Sequence, residues 1–327
     1  MIARARLIRL VEAARAAPSV HNVQPARWRI EDGALVLLED VTRRLAVGDP
    51  HGNDAAISLG AAAEGAAIAA SGAGLATRIE RIAGDDRGQG LRPVARLVFT
   101  PWASPDPLLP VLETRASWRG AFLPPSAADR SAAAGLAGKD RVVIADPAAI
   151  AAVARLYDRA SYAIMRSDAF RAELRSWMRL KPGHPDWARD GLNADAMQLS
   201  GLEAVAAGAV IGPLFGPLAA TGLAPMLLAE AKSFAQAAGV VLFHRAEEED
   251  PFESGRAFHR LWLEVDAAGL GGNVLAALAD DRAVAAQLVR EFGIGPGRRL
   301  VSAIRIGRRA GTGFARARLP LDEVLID

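Results

Sequence analysis

The sequence predicts an α+β protein built from two related halves, and three observations carry that reading. Segments with helical spacing of apolar residues and segments with strand-like β-branched runs are mixed along the chain. A glycine pattern recurs: Gly60 is followed fourteen residues later by Gly74-Leu75, and Gly255 fourteen residues later by Gly269-Leu270. In both places a strand-like run lies upstream and another downstream, so duplication explains the pattern better than chance does. Finally, 327 residues suffice for two cores without disulfides or structural metal. The expected arrangement is an intramolecular pseudo-dimer, each half a mixed sheet with packed helices, with halves at 1–112 and 113–327.

The elements follow in order. Leu7, Leu10, Val11 and Ala14 fall on one helical face, and Pro18 stops that helix. A polar stretch bracketed by Pro18 and Pro25 leads to a hairpin with Asp32-Gly33 at its turn. Asp54 is expected to cap a small-residue helix running to about Ser71, with Gly72 and Gly74 ending it. Residues 77–82 and 94–100 read as strands, and the prolines at 101, 105, 107 and 110 mark a linker. Beyond it come a strand at 141–145, a helix opened by Asp146-Pro147, a helix at 168–180 and a loop at 181–193. The last third reads as a strand at 240–245, an acidic turn at 247–250, helices at 254–268 and 280–292, and a strand at 300–307.

Composition excludes several classes of function. Cysteine is absent, which removes disulfides, a Cys nucleophile, thiolate metal sites and iron–sulfur clusters, so any redox chemistry needs a borrowed cofactor. The 39 basic and 37 acidic residues leave a net charge of +2, too balanced for the positive field of a nucleic-acid binder. Residues 204–229 form an uncharged run long enough to span a bilayer. Gly208, Gly212, Pro213, Gly216, Pro217, Gly222 and Pro225 interrupt it, so buried segments or a flap are expected and no membrane partner. The first seventeen residues carry arginines through their apolar positions, unlike a signal peptide, and a cytoplasmic location is expected. No Gly-x-Ser-x-Gly elbow, Walker loop or strand-anchored Gly-x-Gly-x-x-G occurs. The five histidines never pair at i, i+4, so no metal site is expected.

Two clusters remain: Pro18-Ser19-Val20-His21-Asn22-Val23-Gln24-Pro25, and Thr114-Arg115-Ala116-Ser117-Trp118-Arg119-Gly120-Ala121-Phe122. Together they resemble the nitroreductase superfamily, whose Pro-Ser-x-x-Asn-x-Gln-Pro loop and Arg-x-Ser-x-Arg segment hold FMN. Here the Pro-Ser loop comes first, which resembles the tandem, Acg-like branch in which one chain supplies both halves of the site. Asp190-Gly191-Leu192, Gly269-Leu270-Gly271-Gly272, Arg305-Ile306-Gly307 and the run from Arg316 to Val324 look like that branch as well. The pattern is departed from at Ala116, where Arg or His is common, at Ala26, where Trp is usual, and by one inserted residue between Arg119 and Phe122.

The resemblance implies roles for particular residues. Arg115, Arg316 and Arg318 would bind the FMN phosphate, with Ser117 adding a hydroxyl. Arg119 would stabilise negative charge at the N1/O2 pole of the reduced flavin. Pro18, Ser19, Val20 and Asn22 would border the ring and ribityl chain, and the Gly271-Gly272 turn would approach N5. It further implies an FMN-dependent oxidoreductase that takes electrons from NAD(P)H and passes them as hydride to a nitroaromatic, quinone or other small acceptor, with no catalytic side chain required. The rival expectation is an FMN-sequestering or storage protein, its flavin covered by a lid around 181–229. One FMN per chain is expected, in a monomeric pseudo-dimer.

Overall fold

The computed structural model describes residues 2–84, 90–101, 104–311 and 313–326. Helix α1 (Arg4–Ala14) turns Leu7, Leu10, Val11 and Ala14 inward, as its spacing demands. Strands β1 (Ala26–Glu31) and β2 (Ala34–Asp40) form the expected hairpin, with Asp32 and Gly33 at φ of 51° and 77°. Helix α2 (Asn53–Gly72) is buried along most of its length and leads through Gly74 to β3 (Leu75–Arg81) and β4 (Leu91–Pro101). Its cap differs from expectation. Gly52 occupies the N-cap position with φ 72°, and the Asp49 carboxylate accepts the Ala55 N–H at 2.8 Å. Asp54 instead sits in the first turn, where removal from water, then the charges of Asp280 and Asp49, push its carboxyl up to about 8.

The second half begins with α3 (Ala127–Ala134), a short helix that the sequence reading passed over although Ser126 and Asp129 form a capping box at its start. Then follow β5 (Arg141–Ile144), α4 (Pro147–Met165) capped by Asp146, α5 (Asp168–Ser176), and the two-residue strands β6 (Met178–Arg179) and β7 (Leu192–Asn193). Three small helices, α6 (Gly201–Ile211), α7 (Phe215–Ala220) and α8 (Ala224–Leu228), precede β8 (Gly239–Ala246), α9 (Pro251–Ala267) and β9 (Gly271–Val274). The chain continues through α10 (Ala277–Asp280), α11 (Arg282–Glu291), β10 (Arg298–Gly307) and α12 (Leu321–Val324).

The two four-stranded sheets share one plan. One runs β1-β2-β4-β3 and the other β5-β8-β10-β9, antiparallel throughout. In each, a long helix joins the second strand to an edge strand, α2 in the first and α9 in the second. These helices cross in contact at the repeat glycines. A Cβ on Gly60 would lie 1.9 Å from the Phe252 carbonyl oxygen, and one on Gly255 would lie 2.1 Å from that of Ile57. Only glycine permits backbones to meet this closely. Among the described residues α2 is the one helix long and apolar enough to cross a membrane, and it lies in the middle of the fold.

Two segments sit elsewhere than sequence suggests. Residues 204–229 do not form plain core: Leu202 is 86% exposed beside them, Met226 is 66% exposed, and Val205, Leu214, Leu223 and Leu227 are also open to solvent. They are anchored by a few side chains, Ile211 against Leu174 and Leu192, and Phe215 under the Arg171 guanidinium. The chain end, expected in the second half, returns to the first. Leu319 and Val324 enter the core around Trp28, and the Ile326 N–H donates to the Trp28 carbonyl.

Candidate functional site

Three segments far apart in sequence meet beneath the end of α1. The first is the loop after Pro18, which carries non-glycine residues in the left-handed region at His21, Asn22 and Gln24, with φ of 46°, 56° and 52°. Such backbone is costly and persists only where its surroundings hold it. Here Ser19 Oγ accepts the Gln24 N–H at 2.9 Å, the Asn22 amide donates to the Gly191 and Ala317 carbonyls, and the Gln24 side chain donates to the Arg189 carbonyl and accepts the Leu319 N–H. The second segment, 115–119, is fixed against β9: Ser117 bridges Gly272, and the Trp118 N–H donates to the Gly272 carbonyl at 2.8 Å. The third is the extended run 314–318, tied by the Arg318 N–H to the Ala188 carbonyl.

The pocket between them is lined by Pro18, Ser19, Asn22, Arg115, Ser117, Arg119, Arg316 and Arg318, all anticipated. Gly191, Leu192 and Ala196 close another side, and Ala116, Phe314 and Ala317 fill in. These six were not anticipated, although Asp190-Gly191-Leu192 had been one of the family-like runs. Val20 stands off the pocket wall, as do Gly271 and Gly272. Gly271 is covered: a Cβ there would lie 2.6 Å from Arg309 Cγ and 3.1 Å from Trp118 Cβ, so packing alone accounts for its glycine. Gly272 reaches the site through the bridge to Ser117. The empty space, mouth included, is about 500 Å³, yet a water molecule's centre can range over only about 50 Å³ of it. The walls are close.

The electrostatics are one-sided. Arg318 donates from Nε to the Arg15 carbonyl at 2.7 Å and from Nη1 to Asn22 Oδ1 at 3.0 Å. Arg115 donates from Nη2 to the Ala16 carbonyl at 2.9 Å, while its buried Nε and Nη1 have no partner. Arg316 donates to the Arg115 and Glu113 carbonyls. None of the three forms an ion pair with a described carboxylate. Burial, then the charges of Arg318 and Arg316, bring Arg115 down to about 9, and burial followed by Arg316 and Arg15 brings Arg318 to about 10. Arg316 is lowered by burial as well, with Glu113 and Asp266 acting in the opposite direction, and Asp266 does the same at Arg115. Neutral carbonyls stabilise these cations without cancelling their charge, so the cluster is suited to receive an anion. Arg119 is also lowered by burial, and faces Tyr157 and Glu230. His21, lowered to about 4 by burial and by Arg119, stays neutral near pH 7. Among the described residues no group of His, Asp or Glu could hold a metal.

A strap, residues 173–196, borders the pocket through Gly191, Leu192 and Ala196 and is tied to the loop at 43–48. Asp190 joins Arg179, at 2.7 Å, to Arg43 of the first half, and Arg189 pairs with Glu323 at 2.7 Å. The Glu173 carboxylate accepts the Val47 and Gly48 N–H groups at 3.0 and 2.7 Å. The apolar segment 204–229 rests on the outside of this strap through Ile211 and Leu192 and contributes no residue to the pocket wall.

Comparison with known proteins gives a local sequence match and remote structural ones. No protein-family model matches the chain. Over 71 residues the chain is 38% identical to Acg of Mycobacterium tuberculosis, whose name assigns it provisionally to the NAD(P)H nitroreductases. The match covers 22% of this chain and 22% of that protein. A nitroreductase with bound FMN from Bacteroides fragilis is 13% identical, with a TM-score of 0.38 over 68% of this chain and 99% of its own. A provisionally named nitroreductase of Anabaena variabilis is 11% identical, with a TM-score of 0.45 over 94% of this chain and 88% of its own. The Acg match agrees with the resemblance read from the two motifs.

Proposed function

We propose that this chain is an FMN-binding oxidoreductase of the nitroreductase superfamily, of the Acg-like kind in which residues 1–112 and 113–327 build one site between them. The observation that carries this reading is the convergence of Arg115, Arg316 and Arg318 on a pocket where none of them is paired with a described carboxylate. The unpartnered Nε and Nη1 of Arg115 fit a phosphate, which offers several acceptor oxygens and close to two negative charges. Each charge-assisted hydrogen bond of this kind contributes about 1.5 to 3 kcal/mol.

FMN, when bound, supplies the hydride chemistry. The chain's own residues bind and orient. Arg115 and Arg316 anchor the phosphate, and Ser117 offers a hydroxyl from a backbone fixed to β9. Arg318 serves twice, because it also holds Asn22 and through it the Pro18–Asn22 wall on which a flavin would lie. Arg119 brings a permanent charge to the inner wall and favours an electron-rich ring beside it. The donor is NAD(P)H and the acceptor a small nitroaromatic or quinone; the setting is the cytoplasm, and neither nucleic acid nor membrane is a partner.

The narrow pocket and the Asp190 latch favour a second reading, in which the chain holds FMN and turns over little. Reconstitution with FMN tests the shared premise: about one flavin per chain is expected, and an apoprotein that takes up none rejects both readings. Steady-state NADPH oxidation with a nitroaromatic acceptor then separates them. Sustained turnover establishes the oxidoreductase, and a single slow reduction of the bound flavin establishes storage.

A further inference from the structure

Of Arg115, Arg316 and Arg318, the first is held by the fewest side-chain hydrogen bonds. Arg115 is 1% exposed and has one acceptor, the Ala16 carbonyl. Its guanidinium nevertheless needs a defined position, and what lies against its face is an aromatic ring: Arg115 Cζ is 4.6 Å from the centroid of Trp262 on α9. A guanidinium on an indole face is attracted by the ring's negative quadrupole, most strongly where water is excluded. Trp262 is itself 5% exposed and supported by Phe258, ring centroids 5.8 Å apart.

The same indole touches the other wall. A Cβ on Gly272 would lie 3.1 Å from Trp262 Nε1, so the glycine lets β9 lie against the indole edge. Gly272 in turn bridges Ser117 and accepts the Trp118 N–H. One side chain therefore underlies both Arg115 and the strand that positions Ser117. His259, one helical turn before Trp262, is fully buried with neither ring nitrogen partnered. Its pKa is driven far below the ordinary value by burial, then by Arg115 and Arg260, so it stands beside Arg115 as a neutral wall and adds no repelling charge.

We propose that Trp262 is a positioning residue for anion recognition, its ring face setting the Arg115 guanidinium and its edge setting the Gly272–Ser117 contact. In its flavin form this inference rests on the function proposed above, and inorganic pyrophosphate provides a probe that does not. The experiment compares wild type, Trp262→Phe and Trp262→Leu as full-length apoproteins, each checked by near-UV circular dichroism and thermal melting. FMN, riboflavin and pyrophosphate are titrated against each.

Loss of the aromatic face in Trp262→Leu is expected to weaken FMN and pyrophosphate by about ten- to thirtyfold and riboflavin by less than about twofold. Trp262→Phe keeps a ring face and is expected to stay within about threefold of wild type for all three. Equal weakening of FMN and riboflavin by Trp262→Leu, or unchanged FMN and pyrophosphate binding, overturns the proposal. Wild type that binds pyrophosphate in a Trp262-dependent way but no flavin sinks the FMN reading and leaves the positioning role standing. Wild type that binds none of the three overturns both. If Trp262→Leu does not fold, Trp262→Met, which also removes the aromatic face, takes its place under the same expected and overturning outcomes.

Discussion

Two charged regions adjoin the contact of α2 with α9, side by side, and they differ in how charge is treated. Four residues beyond Gly60 stands Glu64, whose carboxylate pairs with Arg256 and Arg260 at 2.9 Å each, while Arg260 also meets Asp106 at 2.8 Å. Four residues beyond Gly255, packed against Gly65, stands His259, neutral and unpartnered, with Arg115 beside it. Arg256 and Arg260 each pair with a carboxylate inside the protein. Arg115, Arg316 and Arg318 pair with none of the described carboxylates and are held by carbonyl oxygens and an indole, with Asp266 and Glu113 acting on them only at a distance. Arginine content was equal evidence in both regions; what distinguishes a ligand site is the missing paired counter-charge.

Four outcomes would break or sharpen this contrast. The largest effect is expected at the crossing itself. Gly60→Ala and Gly255→Ala each drive a methyl into a backbone carbonyl, and should cost about 3 kcal/mol or more in urea unfolding, disturbing both regions together. A cost below about 1 kcal/mol would mean that the helices do not meet so closely.

The next comparison sets the two kinds of arginine against each other. Arg316→Ala removes a cation held by two carbonyls and should lower FMN affinity about tenfold or more, with riboflavin nearly unchanged. Arg260→Ala removes a half-exposed internal partner and should lower stability by about 1 to 2 kcal/mol without altering the FMN-to-riboflavin affinity ratio. Matching behaviour in calorimetric titration would erase the distinction. Arg316 is the cleaner choice than Arg318, which also carries the Asn22 loop.

A smaller change is expected at the strap. Asp190→Ala releases Arg43 and Arg179 at once and should speed FMN dissociation, measured by stopped-flow fluorescence, by about tenfold with phosphate affinity retained. An unchanged rate would show that the strap does not control access.

A pH-dependent effect is expected where three acids face one another, Asp49, Asp54 and Asp280. Asp54 titrates near 3.8 when unfolded and at about 8 when folded, and Asp280 is likewise raised to about 6. Below pH 4 both states of Asp54 hold the proton; above it the unfolded chain loses the proton and the folded one keeps it. Stability therefore falls with rising pH until about pH 8. Asp54→Asn should raise the melting temperature by about 5 °C at pH 9 and by nothing measurable at pH 4. Equal gains at both values would refute the titration.

Most of the fold was legible because it rests on short-range patterns. Apolar spacing marked α1, the Asp32-Gly33 pair marked its hairpin, Asp146-Pro147 opened α4, and paired glycines fourteen residues apart located the two equivalent helices. Eight of the anticipated residues line the pocket, and they were named from the resemblance carried by two short motifs. What stayed hidden depends on partners distant in the chain. Asp54 has the composition of a cap, but the helix has already begun before it: the Ala56 N–H donates to the Gly52 carbonyl, and the Ala55 N–H to Asp49. Gly271 looked like an opening and proved to be covered by Arg309 and Trp118. The segment at 204–229 has the hydropathy of core, and only its place on the outside of the strap makes it surface. The sequence alone determined most of the long elements, the recurring glycines and the cations. The tertiary structure decided which arginines go without a carboxylate, because charge compensation depends on which side chains meet in space, and the distance along the chain from Arg115 to Arg318 carries no record of that meeting.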